Sequence, residues 1–214
     1  MDCIRVHHVT PHFISDAEGS ASEIWRHEVI FRKDENSFIS AASGSGKTSL
    51  LAYIFGERTD YSGEIWFDTR EINSLKPHEW DTVRQYGVSF IFQGLRLFPG
   101  LTVLENIAVK NLLTGYKTCE EILYLVEMTG LADKKDEKAG KLSFGQQQRV
   151  AIIRALCQPF DFLLADEPFS HLDEANIEII SEIITRELQQ QKAGMILCSL
   201  GPKYPFHYQQ YRKL

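Results

Sequence analysis

The chain has 214 residues, of which 43% are hydrophobic, and a formal net charge of -6. This length fits one ordinary domain or a core with an inserted lobe, and the apolar fraction suffices for a sizeable core. The negative charge provides no basic field for a phosphate backbone, which weighs against nucleic acid as the main partner, and we expect no direct nucleic-acid partner. No stretch approaches the ~18 apolar residues of a membrane span, so any membrane role requires a partner.

The four cysteines are scattered along the chain without a CxxC pair. Such a distribution is typical of reduced, buried thiols in a cytoplasmic protein, and it disfavours both a disulfide framework and a zinc site. We therefore expect a cytoplasmic location.

Short apolar runs predict the strands of an α/β protein. In chain order they cover residues 3–9, 24–31, 36–41, 61–68, 88–92, 160–165 and 194–200. The last three runs are continuously apolar, which is typical of parallel strands that are buried on both faces.

A glycine-rich segment, AASGSGKTSL at residues 41–50, lies between a predicted strand and a predicted helix. Its glycines would free backbone N–H groups at the helix N-terminus, and the resulting nest suits phosphate oxygens. Lys47 would reach the terminal phosphates of a purine nucleoside triphosphate, and the Thr48 hydroxyl can ligate magnesium. The motif begins at Ala41, where glycine is usual. The predicted nucleotide-binding residues of this loop are Ala41, Ala42, Ser43, Gly44, Ser45, Gly46, Lys47, Thr48 and Ser49.

Helical periodicity replaces the strand pattern between Gln93 and Gln158. We therefore predict a single domain whose helical subdomain, residues 93–158, is inserted into a nucleotide-binding core formed by residues 1–92 and 159–214. A later helix begins at Asp173, and its apolar spacing of three and four residues indicates core packing.

Two adjacent carboxylates end the apolar strand in FLLADEP, residues 162–168. We expect Asp166 to bind magnesium near the phosphate loop. Glu167, one residue further on, would orient or deprotonate the attacking water in phosphoryl transfer.

The segment LSFGQQQR at residues 142–149 identifies a family. With it, the chain resembles the ATP-binding subunit of an ABC transporter. The family signature Leu-Ser-Gly-Gly-Gln is matched by Leu142, Ser143, Gly145 and Gln146, and the sequence departs from it at Phe144. The motifs follow in the family's order over nearly the whole chain, which makes coincidence improbable.

The resemblance implies a head-to-tail dimer that buries two ATP molecules at composite sites. Ser143, Gly145 and Gln146, at the start of a helix, would cover the γ-phosphate held by the phosphate loop of another protomer. Asp173 in SHLD is carried over as a further nucleotide-binding residue. The partner cassette is either a second copy of this chain or a different subunit.

The resemblance also implies roles for two residues outside these motifs. Gln93 in IFQ corresponds to the family residue that contacts magnesium and the attacking water, so we assign it both a catalytic and a metal-binding role. Phe13 corresponds to the aromatic residue that stacks on adenine in the family. His12 is an alternative for this role, and Phe13 could instead pack in the core.

The segment LCSLGP at residues 197–202 departs most from the family pattern. Ser199 matches the usual serine or threonine, but Leu200 stands where the family has a histidine that contacts the γ-phosphate. Leucine has no donor for developing charge, so we expect ATP binding to be retained and hydrolysis to be slowed or lost.

Together these features predict a phosphate-loop NTPase core with a mixed sheet and an inserted α-helical subdomain. The resemblance implies an ATPase, with ATP and Mg²⁺ as cofactors, that drives transport through membrane permease subunits on the inner face of the cell membrane. LTVLENI resembles the lipoprotein-release, macrolide-export and cell-division branch, whereas DEPFSHLD is similar to importer subunits. The alternatives are a non-hydrolysing regulatory ATP switch and a soluble protein of the same type acting on nucleic acid or ribosomes.

Overall fold

The computed structural model describes residues 1–14, 22–42, 44–201 and 204–214. Within these ranges the chain forms nine strands and six α-helices, and the strands are divided between two sheets. The predicted α/β class is confirmed, with the strands forming one antiparallel and one parallel sheet. The strands are β1 (Cys3–Pro11), β2 (Glu28–Arg32), β3 (Asn36–Ser40), β4 (Tyr61–Phe67), β5 (Arg70–Glu71), β6 (Val88–Ile91), β7 (Phe162–Asp166), β8 (Gly194–Ser199) and β9 (Gln210–Lys213).

The parallel sheet has the order β6-β7-β8-β3-β9 and carries the candidate functional residues. Strands β6, β7 and β8 are buried at every residue, as their continuous apolar runs predict. Ser40 pairs in register with Ser199, and Asp166 with Cys198. The segments that follow β3, β6, β7 and β8 therefore leave the sheet at one edge, where α/β proteins usually bind ligands.

The antiparallel sheet, in the order β2-β1-β4-β5, lies over one face of the parallel sheet. Along β7 the buried side chains alternate between two apolar clusters. Phe162 and Leu164 pack with the antiparallel sheet, whereas Leu163 and Ala165 pack with the helices on the opposite face. The parallel sheet is therefore the middle layer of three.

Six α-helices complete the described part of the chain. They are α1 (Lys47–Ile54), α2 (Pro77–Thr82), α3 (Val103–Asn111), α4 (Cys119–Met128), α5 (Phe144–Leu156) and α6 (Glu174–Gln191). Helices α3, α4 and α5 lie between β6 and β7, and each begins with a capping box at Thr102, Thr118 or Ser143. No helix in the described ranges is long and apolar enough to cross a membrane.

Four elements of the described chain differ from the sequence prediction. The strand expected over residues 24–31 begins only at Glu28, because the chain turns at Arg26, whose φ is 66°. Strands β5 and β9 and helix α2 have no counterpart in the predicted elements. Strand β9 is a short polar edge strand, and its pairing with β3 is a long-range contact that local periodicity does not encode.

Candidate functional site

The phosphate loop connects β3 to α1 and has the backbone geometry of an anion nest. Gly44 and Gly46 have φ of 82° and 97°, in the region that favours glycine, and Gly46 is the N-cap of α1. Trp25 packs against this turn, because its Nε1 donates to the Ser45 carbonyl at 3.1 Å. Ser43 lies outside the described residues. A helix N-terminus preceded by left-handed glycines is the arrangement in which backbone N–H groups form a concave anion site.

Lys47 is 8% exposed and lies under the loop. Its Nζ is 3.5 Å from the Ala42 carbonyl oxygen and 3.5 Å from Glu167 Oε1. Ala41, at the first position of the motif, is buried and donates its backbone N–H to the Ser199 carbonyl. The Lys47 ammonium thus links the loop to Glu167, the residue after β7, and the Ala41 N–H links the loop to β8.

Thr48 and Asp166 meet as the sequence predicts. The Thr48 hydroxyl donates to Asp166 Oδ2 at 2.6 Å, and the second carboxylate oxygen, Oδ1, is buried without a hydrogen-bond partner in the described residues. Burial is the largest cause that raises the pKa of the Asp166 carboxyl, and the Thr48 hydrogen bond opposes that rise. Gln93 lines the same cavity of about 130 Å³ as these two residues. An unsatisfied carboxylate oxygen, a hydroxyl and an amide beside a cavity form an all-oxygen donor set that fits Mg²⁺.

Glu167 is buried next to Asp166 but has different partners. Its φ of 48° is left-handed, and this turns the side chain toward the end of β8. Glu167 Oε2 accepts from the Ser199 hydroxyl at 3.1 Å, and Oε1 accepts from the Leu200 backbone N–H at 2.8 Å. The Leu200 side chain is 56% exposed, so this position contributes only its backbone donor to the carboxylate.

Phe13 lies beside the phosphate loop with half of its side chain exposed. A Cβ at Gly46 would be 3.6 Å from Phe13 Cζ, so the ring borders the nest. The Arg58 guanidinium is 5.5 Å from the centroid of this ring, and it also donates to the Ser49 hydroxyl at 2.8 Å. An exposed aromatic face next to a phosphate nest can stack on a nucleobase. The Ser49 side chain is turned toward Arg58.

The signature residues form the N-terminus of α5. The Ser143 hydroxyl accepts from the Gln146 backbone N–H at 3.3 Å, and the Gln146 side chain accepts from the Ser143 N–H at 2.9 Å. A Cβ at Gly145 would be 2.9 Å from the His171 carbonyl oxygen, so glycine is required for this close approach. Phe144 is 46% exposed, and its ring contacts the His171 ring at 4.2 Å between centroids.

Asp173 is the exposed N-cap of α6, and its carboxylate is hydrogen-bonded within the first turn of that helix. Its carboxylate accepts from the Asn176 backbone N–H at 2.8 Å, and this hydrogen bond is the largest cause that lowers the Asp173 pKa. In the described part of the chain, no hydrogen bond or ion pair joins Asp173 or the signature residues to the phosphate loop. One protomer therefore has two separate groups of candidate residues.

Gln148 connects these two groups and was not predicted as a site residue. It is 2% exposed, and its Nε2 donates to the backbone oxygens of Glu167 and Pro168 at 3.3 and 2.7 Å. Its Oε1 accepts from the His171 N–H at 3.2 Å. The sequence contained one indication of this role. Gln148 is three residues before Ala151, a spacing that puts its polar side chain on the apolar face of α5.

Comparisons with known proteins agree with this geometry. The statistical model of the ABC transporter family matches residues 27–170. The lipoprotein-releasing system ATP-binding protein LolD 1 of Chlorobium chlorochromatii is 36% identical over 159 residues, which cover 71% of this chain and 65% of the relative. The uncharacterised ABC transporter ATP-binding protein YbbA of Escherichia coli is 32% identical over 184 residues, covering 85% of this chain and 80% of the relative.

Solved structures give the same result. The dimeric structure of MJ0796, described as a bacterial ABC transporter cassette, matches with a TM-score of 0.78 and 28% identity over 92% of this chain and 88% of that chain. A second MJ0796 structure with the same match represents a post-hydrolysis state bound to ADP and Pi. The alignments span about two thirds of the lipoprotein-releasing relatives, 65% and 68% in two cases. With its nest, its paired carboxylates and its signature helix in a matching fold, the chain belongs to the ABC transporter family.

Proposed function

We propose that this protein binds ATP with Mg²⁺ and hydrolyses it to drive transport through membrane permease subunits. The observation that carries the proposal is the contact of Thr48 with Asp166 at 2.6 Å, which leaves Asp166 Oδ1 buried and unsatisfied beside the phosphate nest. A buried carboxylate oxygen without a donor is costly unless a cation binds there.

The residues divide the chemistry among them. The N–H groups of the nest and the Lys47 ammonium bind the phosphates, and Thr48, Asp166 and Gln93 are the groups that would hold Mg²⁺. Bound Mg²⁺ would neutralise charge on the phosphate oxygens. Glu167 orients the attacking water and accepts its proton.

Phe13 is the group that we assign to the adenine ring. Its exposed face and its position beside Gly46 support stacking, and Arg58 would border the same base. The neighbouring residues 15–21 lie outside the described part of the chain.

ATP binding joins two protomers head to tail in this proposal. In the described residues, no hydrogen bond or ion pair joins the phosphate loop to the candidate residues of the other group, which supports their action on the nucleotide of a partner; they are Ser143, Gly145, Gln146 and Asp173. The dimeric structure of the similar MJ0796 cassette supports dimerisation. A second copy of this chain and a related cassette are both candidate partners.

We infer that basal turnover is low. Leu200 offers only its backbone N–H, and that group is already bonded to Glu167. The exposed Phe144 ring adds bulk at the signature turn, where the family has glycine. A regulatory ATP-binding subunit with very slow hydrolysis is the second candidate function, and these two departures favour it.

We assign the protein to the inner face of the cell membrane, attached through a permease and without direct contact to nucleic acid. The similarity to lipoprotein-releasing ATP-binding proteins supports a lipid-modified cargo. Co-purification with a membrane protein tests this assignment, and recovery without any such partner contradicts it.

The experiment for the central proposal is calorimetric titration with Mg-ATP. Lys47→Ala removes a charge-assisted contact and should weaken ATP binding by about 10- to 100-fold. Lys135→Ala, at an exposed lysine in the same chain, is the matched control and should bind like the wild type. Unchanged affinity in Lys47→Ala would contradict the proposed site.

A further inference from the structure

The turn that follows β8 holds the Glu167 carboxylate from two sides. The side chain is 6% exposed, and the Ser199 hydroxyl and the Leu200 N–H donate to its two different oxygens. On its other side, Lys47 Nζ lies 3.5 Å from Oε1. The orientation of the carboxylate therefore depends on the conformation of this turn.

A second hydroxyl lies behind Ser199. Tyr204 Oη is 3.3 Å from Ser199 Oγ, which also accepts the Gly201 N–H at 3.0 Å. An ionised carboxylate can only accept, so the single Ser199 hydroxyl proton is directed to Glu167. The Tyr204 hydroxyl must therefore donate to the Ser199 oxygen. This hydrogen bond polarises the Ser199 hydroxyl and strengthens its own hydrogen bond to Glu167.

The Tyr204 ring is fixed by the segment that carries Glu167. It packs edge to face against Phe169, with 4.5 Å between the ring centroids, and Phe169 is 2% exposed. This contact holds the hydroxyl in place from the side of β7. Two contacts therefore connect the segment after β7 with the segment after β8. One is the hydrogen-bonded chain from Tyr204 through Ser199 to Glu167, and the other is the ring contact between Tyr204 and Phe169.

We propose that Tyr204 is a positioning residue that orients Glu167 through the Ser199 hydroxyl. Because Leu200 has no side-chain donor, the Ser199 hydroxyl is the one side-chain donor that this turn supplies to Glu167 within the described residues. The effect on hydrolysis rests on the proposed function, whereas the effect on the conformation of the turn does not.

The first measurement is amide hydrogen exchange in the nucleotide-free protein. Tyr204→Phe removes the hydroxyl and keeps the ring contact with Phe169. Exchange at the Leu200 and Gly201 amides should become about 5-fold faster, the factor that corresponds to one typical hydrogen bond. Tyr124→Phe is the matched control, because Tyr124 is half exposed on α4 and its hydroxyl makes no hydrogen bond in the described residues. It should leave these amides unchanged.

The second measurement is steady-state ATP hydrolysis. Tyr204→Phe should lower kcat about 5-fold and leave KM for ATP unchanged, because Tyr204 is not one of the residues assigned to nucleotide binding. In a Glu167→Gln background the same change should have no further effect on kcat. Ser199→Ala should reproduce the loss, and the double variant with Tyr204→Phe should be no slower than Ser199→Ala alone.

The outcomes separate the two proposals. If Tyr204→Phe matches Tyr124→Phe in both exchange and kcat, the positioning role is wrong. A rise in KM without a change in kcat also overturns it. If the wild type does not hydrolyse ATP, the proposed function fails in its hydrolytic part, and exchange at Leu200 and Gly201 alone decides the role of Tyr204. Should Tyr204→Phe fail to fold, Tyr204→Leu also removes the hydroxyl and provides both measurements, and unchanged exchange and kcat in that variant would overturn the role.

Discussion

Replacement of Asp166 by asparagine should stabilise the nucleotide-free protein while it impairs the site. The carboxylate is 1% exposed, and one of its oxygens has no hydrogen-bond partner in the described residues. Asparagine keeps the shape and an acceptor for the Thr48 hydroxyl, but it removes the buried charge. A buried charge without full compensation costs more than an unbonded neutral amide group, which itself costs about 1 to 3 kcal/mol. Because Thr48 and Lys47 offset part of the cost of the charge and the asparagine NH2 stays unpaired, we expect a gain of about 1 kcal/mol in Asp166→Asn.

The pH dependence of this gain follows from the direction of the pKa shift. Burial raises the Asp166 pKa in the folded protein, so the folded state retains its proton to higher pH than the unfolded state. Below the ordinary aspartate pKa of about 4, the Asp166 carboxyl is neutral in both the folded and the unfolded state. The stabilities of the variant and the wild type then differ little. As pH rises toward the raised folded pKa, the wild type loses stability relative to the variant, and the difference then levels off.

Urea denaturation of both proteins between about pH 3 and 8 measures this difference, because the change begins near the ordinary aspartate pKa. Asp60→Asn is a control in which the stability should change in the opposite direction. The hydrogen bond from Arg58 lowers the Asp60 pKa, so the folded state favours the ionised carboxylate that this variant removes. Calorimetry should show that Asp166→Asn loses the magnesium dependence of ATP binding. A variant that is less stable than the wild type at pH 7.5, or a difference that does not vary with pH, would refute the reasoning.

Three further predictions concern catalysis and stability. Glu167→Gln should keep ATP affinity and accumulate an ATP-bound dimer on sizing chromatography, and unchanged hydrolysis would assign catalysis to another group. Leu200→His should raise kcat, because it adds a side-chain donor near the phosphate, and an unaltered rate would show that this position does not face the nucleotide. Glu187→Ala should lower the free energy of unfolding by about 3 to 5 kcal/mol, because it leaves the buried Lys117 ammonium without its ion-pair partner. Glu182→Ala removes one partner of an exposed ion pair and should change the free energy of unfolding little. Equal losses in these last two variants, measured by urea denaturation, would contradict the burial argument.

The sequence was most informative where chemistry depends on adjacent residues. The phosphate loop needs its glycines, Lys47 and Thr48 in one short segment, and the Asp166 and Glu167 pair ends a continuously apolar strand, so both were predicted from local patterns. The helical stretch between β6 and β7 was also visible, because periodicity near 3.6 is a local property. The order of these motifs sufficed to identify the family.

Only the tertiary structure decided how the groups meet across the sheet. The sequence predicts Asp166 near the phosphate loop, but it does not reveal that the Thr48 hydroxyl donates directly to the Asp166 carboxylate. It also does not reveal that Gln148 donates to the backbone of Glu167 or that the Tyr204 hydroxyl contacts Ser199. These contacts join segments that are far apart in the chain, and their geometry depends on strand order and register. The left-handed backbone of Glu167, at a φ of 48°, likewise has no signature in its residue type. Periodicity encodes which face of an element is buried, but the partner of a buried polar atom depends on packing between elements.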